Sequence, residues 1–156
     1  MTSDEGELTP AEELAEVLEL LVDAFGLDAD VSVEAADGVL RGAVNGAEVG
    51  ALIGERGSVV DAVQHLAQRI VLRGGDGLRV NVDVGGYRGR RETELRAEAD
   101  RAAATAVAEQ KEVALSPMPP AERRFVHEHL RERGDVDTHS EGDEPRRRLI
   151  VAPGPR

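Results

Sequence analysis

The 156-residue chain has no cysteine or tryptophan and only one tyrosine and two phenylalanines. Without thiols there is no disulfide framework, thiolate metal site or cysteine nucleophile. Phe25, Tyr87 and Phe125 are too few to build an aromatic platform for stacking bases, and both phenylalanines fall on apolar helix faces. The basic and apolar blocks of a signal peptide are missing, as is any apolar run of membrane-spanning length, so a soluble cytoplasmic protein is expected. The first forty residues contain no Lys or Arg. They hold twelve Asp or Glu and account for the whole net charge of −12, while from Arg41 onward 19 acids balance 19 bases. A uniformly acidic chain would repel a polyanion. An acidic segment ahead of a balanced remainder leaves room for local basic patches.

At this length the chain suits one domain or two small ones. Residues 1–8 are acidic and without periodicity, which predicts a disordered tail. Thr9-Pro10-Ala11-Glu12 reads as a capping box with proline at the first helical position. Leu14, Val17, Leu18, Leu21, Ala24 and Phe25 then share a helical face, and Gly26 suits the end of that helix. Val31–Ala35 and Val39–Val44 read as strands joined through Asp37-Gly38, a hairpin signal. Ala47–Ile53 has the length of about two helical turns. After a glycine tetrapeptide, Ser58 with Asp61 marks another helix start, and Val59, Val63, Leu66, Ala67 and Ile70 line its face. Gly74-Gly75 ends that helix, and Leu78, Val80, Val82 and Val84 alternate with polar residues as a third strand. The order is α-β-β-α-α-β.

The tetrapeptide Gly54-Glu55-Arg56-Gly57 lies within "GALIGERGSVVDAVQHL". Two glycines three apart form a plain turn or let backbone approach a phosphate, with the dipole of the next helix favouring the anion. A GxxG loop between two amphipathic helices, after two strands and before a third, resembles the nucleic-acid clamp of the K-homology (KH) domain. The resemblance assigns Gly54, Glu55, Arg56, Gly57 and Ser58 to the binding loop. Glu55 opposes a phosphate there. Val44, Ile53, Val59 and Val60 are aliphatic candidates to hold bases, and the last strand can add backbone hydrogen bonds.

The second half opens with Arg88, Arg90 and Arg91, read equally well as a solvated helix end or as a phosphate patch. A long helix follows, with Leu95, Ala99, Ala102, Ala103, Ala106 and Val107 at helical spacing as far as about Gln110. In "LSPMPPAERRFVHEHL" two prolines suit a helix start, and Arg123 and His127, four apart, project from one face. An Arg and a His so placed offer several donors to a phosphate, as does the adjacent Arg124. "VDTHSEG" and the strand-like Arg147–Val151 complete the segment.

Arg123 and His127 in this setting resemble the motif of the Arg-x-x-x-His (RxxxH) domain. The whole series, "LIGERG", "DAVQHL", "VDVGGYRGRR", "LSPMPPAERRFVH" and "THSEG", resembles the bacterial Jag or KhpB family from about Leu14 to Pro153. The resemblance implies an α+β chain: a type II-like KH domain over residues 9–86, then a small α/β Arg-x-x-x-His domain over 87–156 that includes a long leading helix. It further implies a single-stranded RNA-binding protein, an RNA chaperone or post-transcriptional regulator linked to cell elongation, division and cell-wall synthesis. Its partners would be a small KH-only (KhpA-like) protein or a second copy of the chain. Many relatives carry a basic residue where this chain has Glu55.

No cofactor, metal or membrane is expected. Catalysis is not expected either: His127 or His139 with Glu122, Glu128 or Glu141 would be the best acid and base pairing, but metal-ligand clusters and nucleotide-binding signatures are absent. A protein-interaction adaptor, pairing through the KH domain and the acidic first helix, is the alternative.

Overall fold

The computed structural model describes residues 7–73 and 77–155. Most of the expected tail at 1–8, and the expected helix end at Gly74-Gly75, lie outside those residues. The chain divides into two compact units after Arg88.

In the first unit, α1 (Pro10–Ala24) starts with the capping box in full: Thr9 Oγ1 accepts from the Glu12 amide and the Glu12 carboxylate accepts from the Thr9 amide. It ends in a Schellman arrangement, Leu27 N–H to Val22 O and Gly26 N–H to Asp23 O, with Gly26 at φ +64°. Strands β1 (Ala29–Ala36) and β2 (Val39–Gly46) pair antiparallel across the turn Asp37-Gly38, both residues at positive φ as a primed hairpin turn requires. A one-turn helix α2 (Gly50–Ile53), a 3-10 turn (Glu55–Gly57) and α3 (Ser58–Val71) lead to β3 (Arg79–Val84), which lies parallel to β2 in a sheet ordered β1-β2-β3.

The core lies between α1, α3 and one sheet face: Leu14, Leu18 and Val22, then Val60, Val63, Ala67 and Val71, against Leu40, Val44, Val80, Val82 and Val84. Each large aliphatic buried here contributes about 1.5–3 kcal/mol. Gly42 lets α1 sit on β2, since a Cβ there would come within 2.7 Å of Leu18 Cδ1.

Three expectations change. α2 is one turn rather than two, because β2 runs on to Gly46, packed against Asp28 and Ala29, and the next three residues form the turn. The buried stripe of α3 is rotated: Val60 and Val71 face the core, Val59 and Ile70 are half-buried and Leu66 is exposed. On α1, Ala24 and Phe25 are exposed, the latter at 46 %. An apolar run of this density fits several rotations, and contact with the sheet selects one.

In the second unit, α4 (Tyr87–Glu109, its first two residues preceding the division) buries Leu95, Ala99, Ala102, Ala103 and Ala106. β4 (Val113–Ala114), α5 (Pro120–Arg131), β5 (Val136–Glu141) and β6 (Arg148–Pro153) follow, with an antiparallel sheet ordered β4-β6-β5. Met118, Val126, Leu130, Leu149 and Val151 complete this core. The two-residue β4 is too short for a periodic signal. Among the described residues no helix is long and apolar enough to cross a membrane.

Candidate nucleic-acid interface

The glycine loop is a strained corner between α2 and α3. Gly54 (φ +72°), Arg56 (φ +52°, ψ +31°) and Gly57 (φ +78°) all take positive φ, which only glycine does without cost. A Cβ on Gly54 would lie 2.4 Å from Val59 Cγ2, and one on Gly57 would lie 2.5 Å from the Tyr87 ring. Tyr87 thus packs where only a bare backbone leaves room, a partner that sequence spacing did not indicate. Glu55, Arg56 and Ser58 are exposed.

Ser58 is the first residue of α3, and its expected cap with Asp61 does not form. The N-cap is Gly57, with no side-chain cap bond. The Gly57 and Ser58 amides close the turn on the Gly54 and Glu55 carbonyls. Attraction for an anion here therefore comes from the α3 dipole and the Arg56 charge rather than from those two amides.

The candidate base-holding residues separate. Val44 and Val60 are buried at 1 % and 0 % exposure and belong to the core, whereas Ile53 and Val59 are half-buried. Backbone groups on the outer edge of β3 are also engaged. Gln64 Nε2 donates to Val80 O at 2.8 Å, and the Val82 amide donates to Gln64 Oε1 at 2.9 Å.

Arg88 is engaged within the first unit. Its Nε donates to Val82 O, its Nη2 to Gln64 Oε1 at 3.2 Å, and Asp61 lies 3.3 Å away. In the second unit Arg91 holds Glu122 in a two-pronged pair, both contacts 2.9 Å, tying α4 to α5. Arg90 is exposed. Arg88 and Arg91 thus have guanidinium groups bound to acceptors in their own units.

Arg123 and His127 do share a face of α5, but at different depths. Arg123 is 8 % exposed. Its Nη1 donates to Met118 O at 2.7 Å and more distantly to Arg147 O, and its Nη2 donates to Glu144. This guanidinium fastens the start of α5 to the segment before it and to the β5–β6 connection. His127 is exposed, with Nδ1 2.5 Å from the Thr138 hydroxyl on β5. That contact orients the ring, and among the described residues Nε2 has no partner. Arg124, with 81 % of its side chain exposed, pairs with Glu128 one turn on. Together with Pro120 and Ser140 these residues border an open pocket of about 400 Å³. The partners Thr138 and Gln64 lie inside motifs visible in the sequence, but their pairing is a tertiary matter.

Comparison with known proteins matches both halves. Residues 11–84 match the family described as "KhpA/KhpB, KH domain", and residues 93–153 match the family of the Arg-x-x-x-His (RxxxH) domain. The chain is 36% identical over 140 residues to the "RNA-binding protein KhpB" of Clostridium symbiosum, covering 88% of this chain and 63% of the relative. It is 34% identical to the protein of that name from Lactiplantibacillus plantarum, covering 92% and 45% respectively. Against that of Bacillus subtilis it is 28% identical, covering 93% and 71%. It therefore spans between about half and two thirds of the length of the first two relatives.

Proposed function

The chain belongs to the KhpB (Jag) family of paired KH and RxxxH domains, and on that premise we propose that it binds single-stranded RNA. The observation that carries the proposal is the exposed Arg56, held in a left-handed corner between two glycines at the N-terminus of α3. On the RxxxH unit, His127 oriented by Thr138 and the exposed Arg124 support a second contact with the phosphate backbone. The relatives are named RNA-binding proteins, which supports RNA as the polyanion.

Affinity is weak to moderate and has little sequence preference, because phosphate contacts dominate and few bases can be read. In the cell the proposal extends to a cytoplasmic RNA chaperone or post-transcriptional regulator acting in elongation, division and cell-wall synthesis. It would work with a KH-only partner or a second copy of the chain.

The test is fluorescence anisotropy of a labelled single-stranded RNA pool across a salt series, with the intact chain, Arg56→Glu, and His127→Ala with Arg124→Ala. The expected result is affinity falling steeply with salt and weakened by either change. Affinity retained at high salt, or unaffected by both changes, overturns the mechanism.

A protein-adaptor reading has one observation in its favour: Leu20, 68 % exposed, and Val17 and Ile70 lie in a groove rimmed by Glu13, Glu16, Glu19 and Asp23. Light scattering after size exclusion separates the readings. A monomer that binds no RNA would favour an adaptor for a basic partner.

A further inference from the structure

The β3 edge is closed by the protein itself. Along β3 the amide of Arg79 points inward, to Gly38 O, so Val80 and Val82 turn their backbone groups outward. Gln64, from the middle of α3, spans both. Its Nε2 donates to Val80 O at 2.8 Å and its Oε1 accepts the Val82 amide at 2.9 Å. Gln68 adds a weaker donor to Val80 O at 3.4 Å, and Arg88 Nε donates to Val82 O at 3.2 Å. Arg88 Nη2 also reaches Gln64 Oε1 at 3.2 Å and is itself held by Asp61 at 3.3 Å, so the glutamine amide is fixed from behind.

A carboxamide in this position presents a donor beside an acceptor. Each base can present such a pair on its Watson–Crick edge: cytosine N4–H beside N3, adenine N6–H beside N1 and uracil N3–H beside O4. We infer that Gln64 is an intramolecular stand-in for a base, and that it makes this unit grip RNA backbone without reading bases at its strand edge. The inference rests on the RNA-binding reading above and deepens it. A base arriving at β3 must displace hydrogen bonds already made by a tethered group at high effective concentration, so its net gain is small. An uncovered strand edge is also a site for unwanted pairing. That role alone would give no gain in affinity from the bases when the cover is removed.

The experiment compares the binding of an oligo-C RNA and of an abasic oligomer of the same length to the 15N-labelled intact chain and to Gln64→Ala, by anisotropy and by the amide resonance of Val82. In the native chain the two affinities should agree within about twofold and the Val82 amide should stay unmoved. In Gln64→Ala, oligo-C should bind about tenfold tighter relative to the abasic oligomer, the equivalent of one to two net hydrogen bonds, and the Val82 amide should shift.

A folded variant that binds both equally overturns the inference and leaves RNA binding intact. A Val82 amide that moves in the native chain with oligo-C but not with the abasic oligomer also overturns it, and this readout stands even if Gln64→Ala does not fold. Absence of binding by the native chain and the variant, both folded, removes the RNA-binding reading and the inference together.

Discussion

Replacing Arg123 by alanine should destabilise the second unit rather than simply weaken RNA binding. The guanidinium is nearly buried, and its shortest contact to a backbone group is to Met118 O at 2.7 Å. Losing a hydrogen bond from a charged donor while leaving a buried carbonyl without its partner costs about 1.5–3 kcal/mol. Removing the aliphatic stem of this buried side chain adds roughly 1 kcal/mol. The ion pair adds little, because the Glu144 side chain is 52% exposed and solvent screens it. The total is about 3 kcal/mol, which for a unit of this size lowers Tm by about 12–24 °C. Scanning calorimetry of the intact chain should show that loss in Arg123→Ala, with His127→Ala close to the native protein. A melting curve within about 2 °C of native, accompanied by lost RNA affinity, would refute the reasoning and make the guanidinium a direct RNA contact. The two residues that define the motif would then act alike, whereas the geometry gives Arg123 a positioning role and leaves the exposed contact to His127.

Gly57→Ala should cost about 1–2 kcal/mol for the left-handed backbone, and more for moving the Tyr87 ring that a Cβ would meet at 2.5 Å. Urea denaturation in the native and Tyr87→Ala backgrounds measures both parts, and a neutral Gly57→Ala would contradict the packing described. The Thr9 amide and hydroxyl hold the Glu12 carboxyl below the usual carboxylate range. A carboxyl depressed in the folded state contributes stability that is complete above its unfolded pKa and lost as pH falls through the folded one. The stability difference between the native chain and Glu12→Gln should therefore be greatest near neutrality and vanish in strong acid. Thermal melts that differ equally at both ends of the range would show that the capping carboxylate does not contribute in this way.

Local chemistry carried much of this protein into view before any tertiary contact. The capping box at Thr9, the Asp37-Gly38 turn, the alternation of β3 and the alanine stripe of α4 each follow from residues close in sequence, and each forms over nearly the expected span. The GERG tetrapeptide was legible for the same reason, since glycine spacing and the flanking apolar helices are local signals. Less visible were the rotation of α3, which buries Val60 and exposes Leu66, and the length of α2. Both depend on how a helix meets the sheet, and neighbouring apolar residues satisfy several choices equally.

The site shows the same division. Residue type and spacing determined that a glycine corner would precede a helix and that Arg123 and His127 would share a face. Only the tertiary structure decided that Arg123 is used up by Met118, Arg147 and Glu144, that Arg88 and Arg91 are bound within their units, and that Gln64 lies along the edge of β3. The reason is physical: a helix period or a turn is set by a few adjacent residues, whereas the availability of a charged or amide group depends on acceptors brought beside it from distant parts of the chain.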